Sequence, residues 1–232
     1  MVDFAPWDRM LQDYVDDAGR VDYGRWQRES QAALDRWLAA IAAIDIDAMG
    51  QDGAIAFLLN LYNALCIRQV LQQYPIRSIR PRVLGIPNWL AFLRFFDQDL
   101  YTLNGRQLSL NGIEHGILRQ RFSEPRMHFA LVCASVGCPL LRSAAYWPEL
   151  LPMQLEEDAH RFINNPDKVR YDPASQILYC SKIFKWYGAD FLTVASSISA
   201  YINLYYTGVQ PPPTAQIAYL PYSWQLNQRT SS

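Results

Sequence analysis

The side chains best suited to chemistry crowd into one stretch, Met127 to Arg142 (MHFALVCASVGCPLLR), where His128 is followed by Cys133 and Cys138 with four residues between the two cysteines. The apolar run His128 to Cys133, bounded by Pro125 and by Ser135 and Gly137, predicts a buried β-strand entering a turn. Pro139 suits the first position of a helix, which puts Cys138 at or near its N-cap. Unpaired N–H groups and the positive end of the helix dipole would there favour thiolate over thiol. A thiolate beside a base is the nucleophile of acyl transfer.

The base has to come within hydrogen-bond reach. On a regular strand rising ~3.3 Å per residue, His128 and Cys133 would stand roughly 16 Å apart on opposite faces, so they do not pair directly. His115, on the helix expected just before that strand, is free to meet either thiol. The candidate machinery is therefore Cys138 as nucleophile, His115 as general base and Glu114 or an asparagine amide as orienting group. Backbone N–H groups around Gly137 to Leu140 would form the oxyanion site. Cys133 and His128 are the fallback pair. Each has a plainer alternative: Cys138 a small cap, Cys133 a buried small hydrophobe, His115 a surface imidazole, His128 a satisfied core residue. Glu114, three residues after Asn111, could instead close a capping box.

Substrate contacts are expected from Lys182, Trp186 and Tyr187, which place aromatic surface beside positive charge; a buried junction with lysine stems reaching water is the alternative. Asn60 and Asn63 sit in an otherwise apolar helix and need partners if buried. They would contact substrate, orient a histidine or pin a neighbouring loop. His160, among acidic residues and Arg161, reads as solvated. Cys-x4-Cys is wide for a zinc pair and no Cys-x2-Cys accompanies it, so no metal is expected. Gly-rich phosphate loops and a G-x-S-x-G elbow are absent, and no cofactor is called for.

Helices dominate the first 75 residues: Trp26, Ala33, Leu34, Trp37, Leu38 and Ile41 recur at helical spacing, as do Phe57, Leu61, Ala64, Leu65, Arg68 and Leu71. Tyr74-Pro75 ends the second of these, and Trp89 to Phe96 is a further short helix after a proline-punctuated loop. LYTL-NG-RQLSL is a hairpin with Asn104-Gly105 in its turn, and Asn111 starts a helix running to about Phe122. Pro148 to Ile163 is amphipathic, VRYDPASQILYC is a second hairpin, and Asp190 is placed to cap a last helix ending near Tyr206. Residues 211–232 form an extended tail packed on the body. The expectation is a single α+β domain over 1–232, with a helical part (1–75) packed on a small, mainly antiparallel sheet. Residues 97–191 would supply its hairpins and a buried central strand.

The chain has 232 residues, half of them hydrophobic, and a net charge of −1. Its basic residues look dispersed, which speaks against nucleic acid and against a membrane partner. The N-terminus lacks a basic and an apolar signal region, so a cytoplasmic location and four reduced cysteines (Cys66, Cys133, Cys138, Cys180) are expected, with a local Cys133–Cys138 bridge as the alternative. Oligomeric state is not legible.

LLNLYNAL (Leu58 to Leu65), IEHGILR (Ile113 to Arg119), HFALVCASVGCPLLR, SKIFKWYGADF (Ser181 to Phe191) and YSWQLN (Tyr222 to Asn227) together resemble the family catalogued as domain of unknown function 547. The resemblance implies a distant papain-like or transglutaminase-like relation and hence thiol acyl transfer. The function expected is a cysteine-dependent acyl transferase or hydrolase acting on an amide-like or thioester-like bond of a small-molecule or peptide substrate. The other candidate is a non-catalytic domain that binds a protein or peptide.

Overall fold

The computed structural model describes residues 2–229. At its centre is α3 (Gln51–Gln73), apolar on every side and buried from Ala54 to Ile67. It is long and apolar enough to cross a membrane, yet its most apolar window is 94% enclosed by the rest of the chain. A helix hydrophobic all round is a core helix when other elements cover it. Two amphipathic helices do so, α1 (Ala5–Tyr14) and α2 (Tyr23–Ala40), the latter capped by Asp22 accepting from the Arg25 N–H. Their tryptophans interlock, with Trp7 stacked on Trp37 at 5.5 Å between ring centroids.

Past the Tyr74-Pro75 boundary, a ribbon of β1 (Arg82–Val83) and β2 (Ile86–Pro87) leads into α4 (Trp89–Asp97), capped by Asn88. The first expected hairpin is present as β3 (Tyr101–Leu103) and β4 (Arg106–Leu108), with Asn104 and Gly105 both at positive φ, as the Asn-Gly pair requires. The second is β5 (Val169–Asp172) with β6 (Ile177–Cys180), and the tail adds β7 (Gln216–Tyr219) parallel to β6. The α+β class stands, and the strands pair antiparallel except β7, which runs parallel to β6 in a three-stranded sheet. Further short helices α7 (Ile183–Trp186), α8 (Gly188–Phe191) and α9 (Ile198–Asn203) follow β6.

Four local expectations are corrected. His128 to Cys133 is not the central strand: Pro125–Phe129 is a 3-10 turn and the rest is irregular. In place of a strand partner it has Asn63, which donates to the Ala130 carbonyl at 3.0 Å and accepts from the Val132 N–H at 2.9 Å. An unbroken apolar run has no period, so it cannot tell a strand from a buried coil. No helix begins at Pro139; the next, α6, is Leu151–Ile163. The intervening chain is tied down instead by buried Asp158, which accepts from Arg142 and from the Tyr146 hydroxyl. The helix expected from Asn111 is α5 (residues 110–121), capped by Ser109 and widened into a π-turn at Glu114–Leu118, so Glu114 is no capping-box residue. Asp190 caps nothing, because Ser197 caps α9.

Candidate functional site

The loop from Ala134 to Cys138 is shaped by long-range partners. The Val136 and Gly137 N–H groups donate to the carbonyls of Gln225 and Ser223 in the tail, and the Cys138 N–H donates to Ser135. Gly137 needs to be glycine, since a Cβ there would lie 2.6 Å from the Tyr222 ring. Beneath the loop, buried Lys168 donates its ammonium to three carbonyls, those of Val136, Gly137 and Cys138, at 2.8 to 2.9 Å. Two corrections follow for Cys138. It heads no helix, and the Gly137 and Cys138 N–H groups named for the oxyanion site are already spent.

Burial pushes the Lys168 amine down to about 8. The unfolded chain therefore holds more protons than the folded one between pH 8 and the ordinary lysine value of 10.5, and stability from this group rises with pH across that window. Comparing wild type with Lys168→Met by urea denaturation should show wild type gaining on the variant by about 3 kcal/mol from pH 7 to pH 10.5. A constant difference would contradict a desolvated ammonium.

Cys133 and Cys138 form a disulfide, which corrects the expectation of four reduced thiols; Cys66 and Cys180 are free and buried. Burial drives the Cys66 thiol far above its usual value and pushes Cys180 up to about 12, so neither is reactive. Three donors converge on Cys138 Sγ: the Cys133 N–H at 3.0 Å, Tyr222 Oη at 3.1 Å and Ser135 Oγ at 3.4 Å. Burial raises the Tyr222 phenol well above its ordinary range, which keeps it a donor.

Both sulfurs line a cleft of about 500 Å³ that also contains His128, Glu114, Tyr62, Lys182, Trp186 and Tyr187. Aromatic walls come from α4 (Trp89, Phe92, Phe96) and from the tail (Tyr222, Trp224). His128 is buried, its ring stacked on Tyr187 at 3.9 Å, with Nε2 2.7 Å from Asp190 Oδ2. Burial pushes the Asp190 carboxyl up, but hydrogen bonds from Arg119 and His128 outweigh it and hold the group ionised, well below the usual carboxylate range. A carboxylate can only accept, so Nε2 carries a proton toward Asp190, and in the neutral form of the ring the lone pair is on Nδ1. That Nδ1 is buried without a hydrogen-bond partner, 4.0 Å from Glu114 Oε1. Glu114 also lies against Tyr187, whose phenol is raised far above its ordinary value by burial first and then by that carboxylate.

Not every expected residue joins the cleft. His115 stands outside it, with Nδ1 2.9 Å from Arg119 Nη1. Asn60 and Asn63 serve the fold: Asn60 accepts from Trp7 Nε1 and the Tyr146 N–H and donates to the Tyr146 carbonyl, and Asn63 pins residues 130 and 132. His160 is exposed. Among the described residues no cluster of three His, Cys, Asp or Glu side chains is placed to hold a metal ion. Sequence reasoning missed Asp190, Tyr222 and Arg119. All three fall within or beside stretches that carry the family resemblance, but no local pattern separates a partner of His128 from an ordinary helix cap.

The family described as "Protein of unknown function, DUF547" matches residues 46–163, half of the chain. That span covers α3, the histidine and both cleft cysteines, and ends before Lys182, Asp190 and the tail. No curated protein matches the chain, and no solved structure does; the comparisons lend no support to a papain-like or transglutaminase-like relation.

Proposed function

Since the chain belongs to the DUF547 family, whose description names no activity, we propose a function from the cleft alone: cysteine-dependent acyl transfer or hydrolysis at an amide-like or thioester-like bond, performed by the dithiol form. The observation that carries this reading is His128, a buried imidazole fixed through Nε2 by Asp190, its Nδ1 buried without a hydrogen-bond partner, in a residue that lines the same cleft as both sulfurs. An acid–histidine pair with one free ring nitrogen is the usual partner of a nucleophile. His128 thus replaces His115 as base, and Asp190 takes the orienting role first given to Glu114.

A dithiol reductant first supplies two electrons and two protons to the Cys133–Cys138 bond, giving two thiols and leaving the reductant as a disulfide. His128 Nδ1 takes the Cys138 proton, and Sγ adds to the substrate carbonyl carbon. The carbonyl π pair moves to oxygen, beside the Lys182 ammonium, which has no ion-pair partner among the described residues. Collapse expels the amine or thiol, which leaves with the proton from Nδ1. Water, deprotonated by the same nitrogen, then hydrolyses the thioester, or another nucleophile accepts the acyl group. Tyr222 and the Cys133 N–H favour Cys138 over Cys133 as the thiolate, because hydrogen bonds to the charged form lower a pKa.

The test is iodoacetamide alkylation of the reduced protein from pH 5 to 9, mapped cysteine by cysteine. Cys138 should react fastest and titrate below the ~8.5 of a free thiol, with no labelling before reduction. Slow labelling throughout, or a free-cysteine profile at Cys138, would overturn the reading. The cleft would then be read as a groove that binds peptide or protein without catalysis.

A further inference from the structure

Between Asp52 and Asp97 the sequence contains no acidic residue, while Arg68, Arg77, Arg80, Arg82 and Arg94 fall inside that interval. A net charge of −1 over the whole chain conceals this. The second half of the interval is also where large apolar side chains stand in the open. Leu84 is 97% exposed, Leu90 80% and Ile86 70%, with Trp89 and Leu93 about half exposed beside them. Arg77 and Arg94 are exposed in the same segment, and the Arg80 guanidinium lies over the Trp89 and Trp224 rings at 5.5 and 5.6 Å. Leu84 occupies the tip of the β1–β2 ribbon at φ +51°, beside Gly85 at φ +80°. A leucine is strained at positive φ and loses by full exposure to water. Folding stability therefore favours neither its identity nor its place.

We propose that the β1–β2 ribbon and α4 form a docking surface for an anionic lipid bilayer, with Leu84, Ile86 and Leu90 entering the interface and Arg77 and Arg94 meeting the headgroups. Aliphatic tips insert, tryptophan prefers the headgroup level, and each arginine close to an anionic leaflet is attracted to it. The lack of any acid in the segment removes the repulsion that an anionic surface would otherwise meet. A protein partner needs no such one-signed field. Trp89 and Leu93 also line the cleft, so docking would turn its mouth toward the bilayer. The inference does not depend on the cysteine chemistry.

The 232-residue chain would be sedimented with phosphatidylcholine vesicles and with vesicles containing about 30% phosphatidylglycerol. Pelleting should rise at least tenfold on the anionic vesicles. It should fall about 25-fold in Arg77→Ala/Arg94→Ala, at about a factor of five per basic residue, and comparably in Leu84→Glu/Leu90→Glu. These positions are exposed, so circular dichroism should show both variants folded. Quenching of tryptophan fluorescence by brominated lipid should drop in Trp89→Phe. Equal binding to both vesicle types, or unchanged binding of the leucine variant, would overturn the proposal. So would self-association of the free protein that Leu90→Glu abolishes.

Discussion

His128→Gln should slow the proposed acyl transfer of the reduced protein by about 10²–10⁴-fold, the usual contribution of a positioned general base. Glutamine keeps an N–H that can donate to Asp190 Oδ2, and its length spares much of the contact with Tyr187, so the loss isolates the ring nitrogen. The same variant should slow Cys138 alkylation near neutral pH and leave the Cys133–Cys138 bridge able to form. Because activity is read on reduced protein, the wild type must be compared before and after dithiol treatment, and only the treated sample should turn over. Equal rates for wild type and His128→Gln, with Cys138 labelled alike in both, would remove His128 from the chemistry.

The largest stability effect is expected at Asn60→Leu. The shapes are close, yet the substitution removes one acceptor shared by Trp7 Nε1 and the Tyr146 N–H, and the donor to the Tyr146 carbonyl. Each buried group left without a partner costs about 1–3 kcal/mol, so a total near 4 kcal/mol is expected. For a chain of this size that corresponds to a melting temperature lower by roughly 10 °C. Asn63→Leu should cost less, about 2–3 kcal/mol, but it frees the segment between His128 and Cys133 and should broaden the alkylation rates of the two cysteines. Differential scanning calorimetry of the two variants separates these outcomes. A loss under about 1 kcal/mol at Asn60 would mean that water replaces the amide.

How far the sequence alone carries is visible in particular residues. Asn104-Gly105 demands positive φ at two neighbouring positions, and it makes the turn it announces. Helical spacing in α1 to α4 and proline at Tyr74-Pro75 act over one or two turns of chain, so those elements are legible too. The α+β class follows from them. The paired amides of Asn60 and Asn63 are legible as groups that need partners, and the acid-free interval from Asp52 to Asp97 is legible once charge is followed along the chain and not averaged over it.

Tertiary structure decided the rest. Whether His128 to Cys133 is strand or coil depended on Asn63, which lies more than sixty positions earlier and bonds the Ala130 carbonyl and the Val132 N–H. Which histidine lines the cleft depended on long-range packing: His128 is held there by Asp190, while His115, in the π-turn that also carries Glu114, lies against Arg119. The long-range donor to Cys138 Sγ is Tyr222, brought in by a tail that pairs with residues 134–137. Turn and periodicity rules describe how a residue constrains its near neighbours. The cleft consists of contacts between residues far apart in sequence, and these are set only when apolar burial of α3 has drawn the whole chain around it.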